Sequence, residues 1–285
     1  MDILDLQTSE SLRLHSADVI RDSGLLDVAN IRIEGYSQII PLRVYRRTDV
    51  KQDVPVLLYF HGGGFTRGSV LQADYVARHF AQHTPALVVS VGYSLAPRFP
   101  FPAAPEDAWR AAEWARKHAR IYGADERKIA VAGYDAGGSI ANGLTLIARD
   151  RGLHIEAQAL FGPMLDPSLS RLGDEHILAS DITASDCAQS YRAYLPKIAQ
   201  RMHPYAAPIE STRLAGLPST FIATAQNDVL HVEAEQYACR LIDSGVATHV
   251  TRFPGISHAA LADDPAALLE GVRFLQYRFD RLSHA

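Results

Sequence analysis

Val131-Ala132-Gly133-Tyr134-Asp135-Ala136-Gly137-Gly138 is the stretch on which the fold of this chain turns. An apolar run, Lys128 to Ala132, leads into it, and a run of small residues, Ser139 to Ala148, leads out. The first reads as a strand and the second as a helix. A strand that passes into a helix through a glycine-framed turn is the G-x-S-x-G pattern, which lifts its central side chain to the tip of the turn. Gly133 and Gly137 are the framing residues, and the central residue is Asp135 where the pattern has serine.

Outward from this turn the chain alternates. Val54 to Phe60 is a continuous apolar run, suited to a strand buried on both faces of a parallel sheet, and it ends in His61-Gly62-Gly63-Gly64-Phe65. Ala73 to Gln82 reads as a helix and Pro85 to Val91 as a second buried strand. Pro97, Pro100, Pro102 and Pro105 fix a rigid loop, and Pro105 is placed to open a helix, with Glu106 and Asp107 favourable to its dipole. Ahead of all this, Val28–Glu34 and Ile39–Arg46 form an alternating hairpin at a sheet edge, preceded by a loosely amphipathic stretch from Ser11 to Ile20 expected to be helical. Beyond the turn come a strand at Ile155–Phe161, a strand at Ser219–Ala225, a helix at 232–244, a strand at Thr248–Phe253 and a helix at Pro265–Leu282. The fold class is therefore α/β, a mostly parallel central sheet with helices on both faces. Residues 1–285 read as a single domain, interrupted at about 165–214 by short polar and aromatic pieces that form a helical cap.

Composition narrows the partners. A formal net charge of −4 gives no electrostatic reason to expect nucleic acid or an anionic membrane. No apolar run approaches the ~20 residues of a membrane span, and the first residues lack the basic and apolar regions of a signal peptide. Cys187 and Cys239 are the only cysteines and read as reduced thiols in a cytoplasmic protein, with no metal site. No feature asks for a cofactor, since the glycines at 133–138 lack the lysine of a phosphate-binding loop.

Three further places carry chemistry. The triplet Gly62-Gly63-Gly64 follows a buried strand, and without Cβ atoms its N–H groups are free to point at a developing oxyanion. Asp228 follows the strand Ser219–Ala225, and His258 follows the strand Thr248–Phe253 in a Pro254-Gly255 loop. Both lie just past the carboxyl ends of strands, where open α/β sheets assemble their sites. The order Asp135, Asp228, His258 matches the nucleophile–acid–base order of one triad arrangement.

From Val28 onward the chain resembles the hormone-sensitive-lipase-like family of α/β-hydrolases, which includes bacterial carboxylesterases. The stretches that carry the resemblance are His61–Gly64, Tyr93-Ser94-Leu95-Ala96-Pro97, Phe101 to Ala108, Gly137-Gly138 and Pro204-Tyr205-Ala206-Ala207-Pro208. The resemblance implies an oxyanion hole built from Gly62, Gly63, Gly64 and Ala136, an Asp228 that orients His258, and residues 1–27 packing with the insertion as a cap. It also implies a homodimer through the last edge strand, Thr248–Phe253. Three departures stand out: Tyr134 replaces an acidic residue, Ser94 and Arg98 replace an Arg and a Glu, and Asp135 replaces the serine.

Aspartate cannot do a serine's work. Attack on an ester carbonyl would have to expel an alkoxide to form an anhydride, so ordinary esterase activity should be very low. At saturated carbon a carboxylate is competent, displacing halide or opening an epoxide to leave an alkyl ester that water then hydrolyses. This resembles haloalkane dehalogenases and epoxide hydrolases, although Ala136 stands where such dehalogenases carry a tryptophan. Tyr134, Tyr191, Tyr194 and Tyr205 are the candidate pocket residues, and with the cap's Leu178 and Ile182 they suggest a small apolar substrate or ligand. The competing class is a non-catalytic family member that binds a small ligand or regulates. A deliberate replacement of the serine is a third reading, weakened by the unusual Tyr134 beside it.

Overall fold

The protein is described by a computed structural model covering residues 18–21, 25–50 and 52–282. Its frame is a sheet of nine strands among the described residues, in the order β1-β2-β3-β5-β4-β6-β7-β8-β9. These are β1 (Asp18–Arg21), β2 (Leu26–Glu34), β3 (Ile39–Arg47), β4 (Val54–Phe60), β5 (Leu87–Val91), β6 (Ala124–Tyr134), β7 (Ala157–Phe161), β8 (Ser219–Asn227) and β9 (Thr248–Ser257). From β5 through β9 every pairing is parallel, and β1, β2 and β3 add an antiparallel flank. The chain around β4 shows why. Val56, Leu57, Leu58 and Phe60 are all fully buried, so this strand has no polar face and must be covered on both sides. Each such side chain contributes roughly 1.5–3 kcal/mol relative to exposure.

The covering helices are α1 (Asp74–His83), α2 (Ala103–His118), α3 (Ala136–Asp150), α6 (His231–Asp243) and α8 (Pro265–Leu282). Two apolar layers result, one on each face of the sheet. α3 is the most enclosed, with Ala136 through Ala148 buried without a break. Its Gly, Ala and Ser side chains let it lie close against the sheet directly behind β6. Between β7 and β8 the insertion contributes only short pieces: α4 (Glu175–Leu178), α5 (Ala184–Tyr194) and two 3₁₀ turns at Ile198–Met202 and Pro208–Glu210. A four-residue helix, α7 (His258–Leu261), follows β9.

Two expectations need correcting. Val19 and Ile20 belong to β1, paired antiparallel with β2, so the hairpin lies one strand inside the edge; residues 1–17 of the expected helix and cap segment fall outside the described residues. The helix expected to open at Pro105 begins at Ala103. Pro105 still sits in the first turn, where its missing N–H leaves no intrahelical hydrogen bond unmade.

Candidate active site

Register alone gathers the four segments that matter. Phe60 of β4 lies opposite Gly133 of β6, so His61–Gly64 and Tyr134–Asp135 emerge side by side at the carboxyl edge of the sheet. Asn227 of β8 lies opposite Ser257 of β9, so Asp228 and His258, the first residues past the two strands, start as neighbours.

The turn between β6 and α3 is as tight as its glycines suggest. A Cβ on Gly133 would land on the Gly137 carbonyl, and one on Gly137 would land on the carbonyls of Phe60 and His61. Asp135 has φ 56° and ψ −125°, a conformation rarely held by a residue with a side chain and one that costs of order 1–3 kcal/mol. It is held there by its own N–H donating to the Phe161 carbonyl at 2.9 Å and by its carbonyl accepting from Gly138 at 3.0 Å.

The Asp135 carboxylate divides its two oxygens. Oδ2 accepts hydrogen bonds from the N–H groups of Gly63 at 2.8 Å and Gly64 at 2.9 Å. Oδ1 faces Nε2 of His258 at 3.7 Å. On its other side, His258 Nδ1 lies 2.8 Å from Oδ2 of the fully buried Asp228, whose Oδ1 accepts from the Leu230 N–H at 2.9 Å. Burial by itself would lower the His258 pKa. The charge and hydrogen bond of Asp228, with the charges of Asp135 and Asp181, outweigh that and raise it to about 9. In the resting site His258 is therefore an imidazolium held between two carboxylates.

The other expected residues fall into place unevenly. Gly62 offers its carbonyl to Nδ1 of His61 at 2.8 Å, which stiffens the loop, and its N–H takes no part in the two bonds to Asp135. Ala136 is buried as the first residue of α3 and likewise lies outside those bonds. Tyr134 packs its ring against His258, with centroids 5.0 Å apart, and donates its hydroxyl to the His258 carbonyl at 2.9 Å. Ser94 is buried with its N–H on Asp107 at 2.8 Å, while Arg98 is exposed and lies over Phe99.

A cavity of about 260 Å³ opens over Asp135 and His258. Its walls include Arg67, Tyr134, Met164, Ile182, Cys187 and Ser190. Two larger depressions, about 620 Å³ against β9 and α8 and about 630 Å³ beside Leu95–Phe99, contain neither Asp135 nor His258. Chemistry rather than size selects the smaller cavity. Three of the expected tyrosines are not on its walls. Tyr194 is buried in a stack on Phe65 at 4.0 Å, and Tyr191 is buried beside it. Tyr205 reaches outward to Asp150 at 3.0 Å. The residues missed in their place, Arg67, Cys187 and Ser190, carry polar groups, so the wall is more polar than the cap's aromatic content suggests. Burial raises the Cys187 thiol well above its ordinary pKa, so it stands as a protonated S–H. No helix among the described residues is long and apolar enough to cross a membrane.

Comparison with known proteins gives a consistent family. Residues 57–262 match a family model described as the alpha/beta hydrolase fold. Carboxylesterase NlhH of Mycobacterium tuberculosis is 37% identical over 238 residues, covering 80% of this chain and 73% of that protein. The structure of a hyperthermophilic esterase from Pyrobaculum calidifontis superposes with a TM-score of 0.82 at 33% identity, over 100% of this chain and 93% of that one. The gibberellin receptor GID1 of rice also matches, at 32% over 172 residues, 58% of this chain and 48% of the receptor.

Proposed function

The chain belongs to the α/β-hydrolase family, with carboxylesterases among its relatives, and from that premise we propose a hydrolase whose Asp135 attacks saturated carbon instead of an ester carbonyl. The observation that carries this reading is the division of one carboxylate. Oδ2 is held by the amides of Gly63 and Gly64, which leaves Oδ1 without a backbone donor, beside Nε2 of His258 at 3.7 Å, in a residue that lines the cavity. An ester would have to displace Oδ2 to use the same donors. An alkyl electrophile needs no such donor on its way in.

In the first step Oδ1 forms a bond to carbon as a carbon–halogen bond breaks and halide leaves, or as an epoxide C–O bond opens and the alkoxide takes a proton from bulk water, leaving hydroxide in solution. Asp135 becomes a neutral alkyl ester. One of the charges that kept His258 protonated disappears at that moment, so the imidazole gives up its proton to solvent, where it accompanies the released halide or neutralises the hydroxide left by epoxide opening. Neutral His258 then takes a proton from water as the water oxygen adds to Cγ of Asp135. Gly63 and Gly64 already bind Oδ2 and stabilise the charge that develops on it. Collapse breaks the Cγ–Oδ1 bond and the product alkoxide takes the proton from His258. The acid left at Asp135 then gives its proton to His258, which restores the carboxylate with one oxygen from water and the protonated ring. A cavity of about 260 Å³ suits a substrate of only a few carbons.

The test is intact mass after exposure to small alkyl halides and epoxides. His258→Gln should accumulate a single alkyl adduct on Asp135, and turnover of the parent in ¹⁸O-water should label that residue. Rapid hydrolysis of p-nitrophenyl acetate by the parent, lost on His258→Ala, would sink the reading in favour of an ordinary esterase. Two observations support a second reading, a ligand-binding protein: the carboxylate already satisfies the Gly63 and Gly64 donors, and a receptor is among the matching proteins. On that reading no adduct forms in any variant, while small ligands still raise Tm.

A further inference from the structure

His258 is gripped by more than its side chain. Tyr134 donates to its carbonyl at 2.9 Å, and its N–H donates to Oδ1 of Asp181 at 3.1 Å. Oδ2 of the same carboxylate accepts from the Ser257 hydroxyl at 2.6 Å and from the Ala259 N–H at 3.0 Å. Three consecutive residues around the histidine therefore converge on one side chain, and that side chain belongs to the cap rather than to the sheet.

Asp181 is itself firmly placed. Two residues later Thr183 caps α5 through a reciprocal pair, its hydroxyl accepting from the Asp186 N–H at 3.1 Å and Asp186 accepting from the Thr183 N–H at 2.9 Å. On the other side, Asn227 donates to the Leu178 carbonyl at 2.7 Å, and Ser180 accepts from the Val229 N–H at 3.3 Å. The segment 178–183 is a strap across the loops that carry both Asp228 and His258.

We propose that Asp181 is a positioning residue for His258, so that the cap fixes the base's orientation as well as walling the cavity. The role rests on reading His258 as the base that activates water. The groups facing His258 are Asp228 after β8, Tyr134 and Asp135 at the end of β6, and Asp181 from the cap; the end of β7 meets it at Gly162, which carries no charge. Of these, Asp181 alone acts on the backbone with a carboxylate. Its negative charge also lies on the side that favours the protonated ring.

The experiment compares the parent with Asp181→Asn and Asp181→Ala by NMR of ¹⁵N-histidine-labelled protein, with His258 assigned by difference against His258→Gln. In Asp181→Ala the His258 titration midpoint should fall by about half a unit or more. The low-field signal of its Nδ1 proton, shared with Asp228, should broaden or vanish. Asp181→Asn keeps an acceptor for the backbone but not the charge, so the midpoint should fall while the low-field signal persists. This second variant carries the test if Asp181→Ala does not fold. A histidine that titrates and resonates as in the parent in every folded variant overturns the proposal. A kinetic arm sharpens it: alkyl adduct should form on Asp135 at the parental rate and hydrolyse at least about tenfold more slowly, because only the second step uses His258. Failure of any adduct to accumulate in His258→Gln would count against the nucleophile reading, whereas the NMR result on the resting protein decides the role of Asp181 by itself.

Discussion

The site has two halves of different construction. The sheet half consists of the ends of β4, β6, β8 and β9, and there each functional side chain is placed by strand register and by backbone groups with little freedom. The cap half consists of short helices and turns between Met164 and Leu214, and its residues reach the site through loop conformation and capping. The difference teaches that the two halves answer different demands. The sheet half fixes what chemistry is possible at Asp135, and the cap half governs what reaches Asp135 and how His258 is held.

The largest effect expected of a single substitution lies at the centre of the sheet half. Asp135→Asn retains an oxygen for the Gly63 and Gly64 amides but loses the charged carboxylate, so turnover of an alkyl halide or epoxide should fall at least roughly 10³-fold in a variant that still folds. A variant within tenfold of the parent would mean that Asp135 is not the attacking group. Asp135→Ser is its complement, and esterase activity gained by that change would show that the hole, acid and base remain serviceable around a serine.

Next comes the frame that carries the turn. A methyl group at Gly137 meets the carbonyls of Phe60 and His61, and no flexible side-chain end is there to yield. Gly137→Ala should therefore destabilise the fold by about 3–4 kcal/mol, read as a lower denaturant midpoint with unchanged slope. A change below about 1 kcal/mol would show that the sheet half is more plastic than its packing implies.

The third prediction uses the charge stored between the halves. His258 is raised from 6.5 to about 9 in the folded protein, so its favourable contribution is fully present below pH 6.5 and is lost as pH rises through about 9. The loss is on the order of 3 kcal/mol. Denaturant unfolding at pH 6, 7.5 and 9.5 should show that decline in the parent. In Asp135→Asn one of the opposing charges is gone, so the decline should come at lower pH. Identical pH dependence in the parent and in His258→Gln would dissociate stability from this group.

The same contrast explains what could be read from the sequence. His61–Gly64, Asp135, Asp228 and His258 were legible because each follows an apolar run that reads as a strand, and strand ends in a parallel sheet converge at one edge. From β2 to β9 the order of the strands and of the helices that cover the sheet followed from that alternation. In the cap, residue type misled. Tyrosines suggested a pocket, yet Tyr191 and Tyr194 are buried against Phe65, where their rings fill space behind the hole. Asp181, Cys187 and Ser190 carry no periodic signal, since their placement depends on the Thr183 cap and on bonds to Val229 that join distant parts of the chain. Val19 and Ile20 were misplaced for a similar reason, because four residues are too few to separate a helical from an extended spacing.

The smallest effect is expected at Tyr205, and its smallness is informative. Tyr205 lies in the Pro204–Pro208 stretch that supports the family resemblance, and a cap tyrosine is a natural choice for a proton donor to an opening epoxide. Its hydroxyl instead donates to Asp150, which Arg149 and Arg213 also approach at the exposed end of α3. Tyr205→Phe removes one exposed hydrogen bond to a carboxylate that keeps its arginines, so the cost should be under about 1 kcal/mol. Neither kcat nor KM for an epoxide should move beyond twofold. A tenfold loss of kcat at unchanged Tm would bring the hydroxyl into the reaction and require the cap to close well beyond the cavity described here. A neutral result would leave the polar side chains among the cavity's lining residues, Arg67, Cys187 and Ser190, as the place to look for a donor to the departing group.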